Sequence, residues 1–416
     1  MLNPAYIIIL FALLISFSSN AVKIHVGGSD GLASIREAVM KAKAGDTVLV
    51  RAGVYMEGSI VLNKGIVLLA EKGVEIDAQG KEPLIVIRAD KSVVKGFTLK
   101  NSGYSDIAEI AGIRLENVKA CRVEDNYLYN NFFGIYLSNS SYCILRNNVI
   151  HGFARTETSS GNGIHLWKSD HNTVLGNKIK GHRDGIYFEF VKNSSIINNI
   201  SEDNLRYGLH FMFSDNDVYR YNIFRRNGSG VAVMYTRDVE MSFNRFEHNW
   251  GSASYGLLLK DISKSQIRNN MFLRNTTGLY MEGSHSTIIE QNDFRENGWA
   301  LRILGDCYND TITSNNFIGN SFDVATNAVR NMNYFYSNYW DKYTGYDLNK
   351  DGTGDISYYP VSLYSKITEE NPYALMMLHS FFIDLLNQTE KLLPSITPDQ
   401  FLDALPKMKK LMHDTY

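Results

Sequence analysis

Side chains able to bind a soft metal fall at fixed offsets from a series of glycines. His165 and Trp167 follow Gly163, Tyr187 and Glu189 follow Gly185, His210 and Met212 follow Gly208, and Met234 follows Gly230. Thioether sulfur and neutral imidazole are soft donors that suit copper(I), whereas carboxylate and carbonyl oxygens suit hard cations. His210, Met212 and Met234, with His165 and Glu189 close by, are therefore candidate copper ligands if the fold brings these separate segments side by side. The same mixture also makes adaptable contacts to a partner protein, so ligation and docking both stay open, with sugar stacking as a third use. Arg183 and Arg206 each stand two residues before a repeat glycine. With His182, Trp167 and Tyr187 they form a candidate surface for an anion or a partner. Asp184, Glu202 and Asp203 are the carboxylates within the chain that could answer the two guanidinium groups.

What must position these residues is a repeat. A glycine followed by an apolar, any, apolar triplet recurs at Gly112, Gly134, Gly163, Gly185, Gly208, Gly230, Gly256 and Gly278, in steps of 22, 29, 22, 23, 22, 26 and 22. An asparagine two residues before an apolar one keeps the same step, at Asn126, Asn148, Asn177, Asn198, Asn222, Asn244, Asn270, Asn292 and Asn315. Within each unit apolar residues alternate with a period of two, as Ile186 with Phe188 and Leu209 with Phe211, which is strand periodicity. A unit of about 22 residues cannot close on itself but makes one coil of three short strands stacked on the next. The predicted fold is an all-β, right-handed parallel β-helix with stacked asparagines inside. In that register the second and fourth residues after each glycine point outward, and successive coils set them ~4.8 Å apart along the stack. The insertions at 151–160 and 249–255 should wall this face as loops.

The ends differ. Residues 7–17 are an apolar run followed by Ser19-Asn20-Ala21, the pattern of a signal peptide over 1–21 cleaved after Ala21. Ser34 to Ala44 reads as an amphipathic helix capping the open end of the solenoid, which extends over 22–361. From Ser362 to 416 the pattern is helical, with Leu375, Leu378, Phe382 and Leu385 on one face and a second helix opening at Thr397-Pro398. These helices would cap the solenoid or dock on a membrane partner. Asp347, Asn349, Asp351, Gly352 and Asp355 match the start of a calcium loop, but Tyr358 stands where a bidentate glutamate belongs, so structural calcium and a hydrogen-bonded turn both remain open. Cys121 and Cys143 occupy one column on neighbouring coils, where a disulfide is geometrically allowed and stacked free thiols equally so; Cys307 has no evident partner.

Composition narrows the functions. The 42 Lys and Arg are balanced by 44 Asp and Glu, so no excess positive charge is available to drive nucleic-acid binding. With 44% apolar residues and only 7 prolines in 416 residues the chain should fold as a globular protein.

The segments NGIHLW, GHRDGIYFEFV, NLRYGLHFMFSD, GVAVMYT, NWGSASYGLLLKD and YWDKYTGYDLNKDGTGD resemble the NosD family of periplasmic accessory proteins for nitrous oxide reductase maturation. The likeness runs from about Ser29 to Met412. It implies a non-catalytic role in assembling a copper-sulfide cluster, in which copper or a sulfur species is handled. The implied partners are the permease and ATPase of an ABC transporter, a copper chaperone and the reductase, with membrane contact through the permease. The motif positions it carries over are His182, Arg183, Asp184, Glu189, Arg206, His210, Met212 and Met234. The competing class is a carbohydrate-active β-helix, a polysaccharide lyase, epimerase or hydrolase. A hydrolase needs two carboxylates ~5 to 9.5 Å apart. Glu189 and Glu282 lie four coils, and so ~19 Å, apart in the outward column.

Overall fold

Each coil carries three short β-strands separated by tight corners, and every strand pairs in parallel with its counterpart one coil away. The computed structural model describes residues 21–105, 107–328, 330–392 and 401–413. The described strands assemble into three parallel sheets of 14, 12 and 13 strands, a right-handed parallel β-helix. The expected signal peptide lies outside the described residues, apart from Ala21.

Inside, like side chains stack on like. Phe224, Phe246, Phe272, Phe294, Phe317 and Trp340 form a continuous column with ring centroids 4.0–5.7 Å apart. The asparagine ladder runs from Asn126 to Asn338. In it Asn222 accepts the backbone N–H and the side-chain Nδ2–H of Asn199, at 2.9 and 3.0 Å, and donates to the Ile196 carbonyl at 2.8 Å and to Asn244 at 2.9 Å. One member differs from expectation. Asn199 is the ladder residue, and Asn198 sits at the left-handed corner with φ 55°. Either asparagine of the pair fits the local pattern, and pairing with Asn177 and Asn222 decides between them.

The upper end is closed by helix α1 (Ile35–Lys41), whose N-cap Ser34 accepts from the Glu37 N–H and whose Ile35, Ala38 and Val39 are buried. At the lower end α2 (Leu363–Glu370) and α3 (Phe381–Leu392) flank a 3₁₀ turn at Pro372–Met377. Tyr364 and Ile383 pack on Phe322 of the last coils. The start of the expected second helix, at Thr397, lies outside the described residues. Beyond it, residues 401–413 are not helical. They return to the solenoid, where Asp403 bridges to Phe335 and Lys407 to Tyr339. Asp403 ends the asparagine ladder by accepting from Asn338 and from the Trp340 indole N–H. The demand of a terminal coil for hydrogen-bond partners overrides the local capping pattern.

Candidate functional site

The site lies on the outer face of the 12-stranded sheet, across Ile164–Trp167, Asp184–Glu189, Tyr207–Met212 and Ser229–Arg237. At the head of each of the last three strands a glycine interrupts the alternation. A Cβ on Gly185 would stand 1.9 Å from the Ser201 hydroxyl and 2.7 Å from the Gly208 carbonyl, so a side chain here would collide with the neighbouring coil. Because the glycine breaks the period of two, the residue before it shares the outer face with the second residue after it: the Tyr207 and His210 rings are 4.9 Å apart.

The outward columns assemble in the expected register. Trp167 pairs with Glu189, Glu189 with Met212, and Met212 with Met234, while His165 pairs with Tyr187 and Tyr187 with His210. The two methionines are half-buried on adjacent strands, ~4.8 Å apart along the stack. The rings of Tyr136, His165, Tyr187 and His210 follow one another at 4.6, 4.7 and 5.0 Å. Trp167 carries the Lys168 ammonium 4.5 Å above its ring.

Behind this column lies a polar chain. Asp184 is fully buried and takes two hydrogen bonds from Arg206, the Nε one at 2.9 Å, while Arg183 Nε stands 3.7 Å away. Burial works against ionisation, but the neighbouring His210 imidazole and the hydrogen bonds and charge of Arg206 outweigh it and hold the Asp184 carboxyl below the usual range. His210 Nδ1 lies 3.3 Å from Arg206 Nη2 and 3.9 Å from Asp184 Oδ2, so this nitrogen faces the Arg206–Asp184 pair. Met212 and Met234 stand half-buried on the outer face beside it. Asn162 joins the chain at its other end, accepting from Arg183 at 3.2 Å and lying 3.1 Å from His165 Nδ1. Burial and the Arg183 charge press the His165 pKa down to about 3.

Of the three carboxylates expected to answer Arg183 and Arg206, Asp184 does so. Glu202 and Asp203 bind Arg225 and Arg226 instead. His182, expected on the outward surface, is inside and 2% exposed. It occupies the place of an asparagine in a second ladder that continues through Asn204, Asn227, Asn249, Asn275, Asn297 and Asn320. Burial lowers its pKa to about 4. This second ladder, five residues after the first, was legible as a constant offset. Asn162 and Tyr207 carried no such signal, because their outward direction comes from the glycine break.

The remaining candidates lie elsewhere. Asp347 Oδ2 accepts from the Gly352 N–H at 2.8 Å, Asp351 Oδ1 from Thr353 at 2.7 Å, and Asp355 Oδ2 from Leu348 at 2.7 Å, while Asn349 and Asp351 bond to each other at 3.0 Å. This is a hydrogen-bonded turn. Among the described residues no three His, Cys, Asp or Glu side chains converge on a metal-sized site. Cys121, Cys143 and Cys307 are free and buried thiols.

The candidate residues thus lie on the outer sheet of a parallel β-helix, where half-buried thioethers and aromatic rings stand in front of an arginine-carboxylate chain. The chain is a member of the NosD family: the model described as "Periplasmic copper-binding protein (NosD)" matches residues 40–155 and 151–345. A probable ABC transporter binding protein NosD of Stutzerimonas stutzeri is 29% identical over 379 residues, covering 86% of each chain. The protein of the same description from Pseudomonas aeruginosa is 28% identical over 380 residues, covering 86% of this chain and 87% of its own. Among solved structures, the Streptococcus pneumoniae surface adhesin PfbA superposes with TM-score 0.53 at 11% identity, over 70% of this chain and 88% of its own. An alginate lyase from Paenibacillus gives 0.52 at 17% identity, over 63% and 97%. These two share the fold.

Proposed function

We propose that this chain is a non-catalytic accessory protein for maturation of nitrous oxide reductase on the periplasmic side, and that copper(I) is its cargo on the Met212–Met234 face. The observation that carries this reading is the direct register of Met212 with Met234, half-buried beside Glu189. Two thioethers on neighbouring strands suit copper(I) and little else of biological abundance. Copper arrives from a copper chaperone and leaves for the copper-sulfide cluster of the reductase. A sulfur species delivered by the ABC transporter, permease with ATPase, joins it there. Among the described residues no helix is long and apolar enough to cross a membrane. The exposed side chains of Tyr373, Met376 and Phe381 provide the contact to the permease at the inner membrane.

A carbohydrate-active role is disfavoured by the carboxylates. Glu189 and Glu282 are separated by Met212, Met234 and Lys260 in one column, ~19 Å of stack, and Glu282 is paired with Lys260 at 2.8 Å. Asp184 is spent on Arg206.

The test is the copper and acid-labile sulfide content of nitrous oxide reductase purified from cells that lack this chain. Loss of the sulfide cluster with other copper retained is expected. A fully loaded reductase overturns the proposal. In the purified protein, Met212→Leu with Met234→Leu should weaken copper(I) affinity by about a hundredfold in competition with a chelator, with stability changed by less than ~1.5 kcal/mol. Unchanged affinity would move the cargo site off these residues.

A further inference from the structure

The turn that leads into the 14-stranded sheet carries a third buried column, one residue ahead of each strand. It begins at Ser92 and continues through Cys121, Cys143, Asn172, Ser194 and Asp217 on successive coils, all of them buried. Below the cysteines a side-chain oxygen accepts the backbone N–H of the column residue one coil above. Asn172 accepts from Cys143 at 2.8 Å, Ser194 from Asn172 at 3.0 Å and Asp217 from Ser194 at 2.7 Å. Cys121 and Cys143 put sulfur where this pattern calls for oxygen. The Cys143 sulfur takes the Cys121 N–H, and sulfur is a weak acceptor. Serine and asparagine serve the ladder above and below, so the ladder by itself gives no reason for two sulfurs in succession.

The two thiols are in contact, each side chain hydrogen-bonded to the other. Their chain neighbours Arg122 and Ile144 are register partners, and the Ile144 N–H donates to the Cys121 carbonyl at 2.9 Å. Paired strands run ~4.8 Å apart, inside the roughly 4.4–6.8 Å between Cα atoms that a disulfide bridges. The other bonds of the two thiol protons are weak ones. Cys121 Sγ donates to the Ala89 carbonyl at 3.4 Å, and Cys143 Sγ to the Ser141 carbonyl at 3.4 Å. Little is lost when those protons leave. Cys307 does not compete for either sulfur: it lies several coils further down, with Asp306 Oδ1 3.8 Å from its Sγ.

Both cysteines are free thiols in the structure. The family to which the chain belongs is described as periplasmic, and in that compartment thiols are oxidised to disulfides. We propose that Cys121 and Cys143 are a modification site, joined as a disulfide in the exported protein by a thiol-oxidising protein of the periplasm whose own disulfide is the oxidant. One cysteine thiolate attacks the oxidant's disulfide, which forms a mixed disulfide and releases one oxidant thiol. The second thiolate attacks the chain's sulfur in that mixed disulfide, forms the Cys121–Cys143 bond and releases the second oxidant thiol. The chain gives up two electrons, and its two protons end on the oxidant's thiols. Neither sulfur is exposed once the coils are stacked, so the exchange precedes closure of these coils. The bond ties residues 22 apart, one full coil, into a ring. Such a ring restricts the unfolded chain and thereby stabilises the fold. The bond lies away from the outer face of the 12-stranded sheet and does not depend on its reading as a copper surface.

The test takes the full chain from the periplasm of the cells that make it, quenched in acid at harvest so that air adds no bonds. It is unfolded in guanidinium chloride and alkylated with iodoacetamide, with and without prior reduction. The chain has 3 cysteines. Intact mass should count one modified thiol without reductant and all of them after reduction, and an unreduced digest should hold the Cys121 and Cys143 peptides linked. Every thiol modified without reductant, or a link that includes Cys307, overturns the proposal. A second measurement uses the variant Cys121→Ser with Cys143→Ser, which supplies the hydroxyl that the column carries at Ser92 and Ser194. The oxidised parent should melt about 5 °C above this variant. Parent that is reduced while unfolded and refolded in reductant should melt with the variant. Equal melting of oxidised and reduced parent overturns the stabilising role of the bond.

Discussion

Two columns of side chains climb the same solenoid at the same pitch, one inside and one outside, and they obey different rules. The inner one is asparagine on each coil from Asn126 to Asn338. The outer one changes from Trp167 to Glu189 to Met212 to Lys260 within a few coils. A buried amide has no water to turn to, so its neighbours must be amides and the column stays uniform. An outward side chain is satisfied by solvent whatever it is, so its identity is free to answer a ligand. Where the inner column departs from asparagine, or the outer column becomes buried and polar, the rule of the other region has intruded.

Asp184 is the sharpest intrusion, an outer-face carboxylate as buried as any ladder amide. Asp184→Ala should cost about 3 kcal/mol, at the low end for breaking a buried ion pair because Arg206 keeps contact with water. A shift in the urea midpoint worth less than ~1 kcal/mol would show that the outer face obeys the surface rule throughout. Within the ladder, Asn222→Ala strands the Ile196 carbonyl, the Asn199 N–H and a neighbouring amide, and should cost about 2 kcal/mol in the same measurement. A near-neutral result would break the comparison from the inside. The smallest effect tests His182. Its folded pKa, about 4, lies below the usual 6.5, so the unfolded chain gains a proton that the folded chain refuses. Its contribution to stability is complete above pH 6.5 and falls as the pH drops from there toward 4, by up to about 1.4 kcal/mol per pH unit. His165, held at about 3, adds in the same direction. His182→Asn, which restores the ladder, should flatten the fall in urea midpoint between about pH 7 and pH 5. An unaltered slope would assign the proton uptake elsewhere.

The methionine-histidine register was legible because it follows from arithmetic: once each coil starts at its glycine, the residues two and four later must align. Two things were not. The segment at 401–413 pairs with strands far away in sequence, and Arg206 reaches His210 across the break that Gly208 makes. Each of these turns on a contact between segments and not on any local pattern.

What the amino-acid order determined unaided is the repeat, the parallel β-helix and the columns, because stacking a period of about 22 residues admits one alignment. What only the tertiary structure decided is which polar groups lie buried and whom they bond. Burial is a property of the assembled coils, and within it a hydrogen bond goes to whichever group the neighbouring coil supplies.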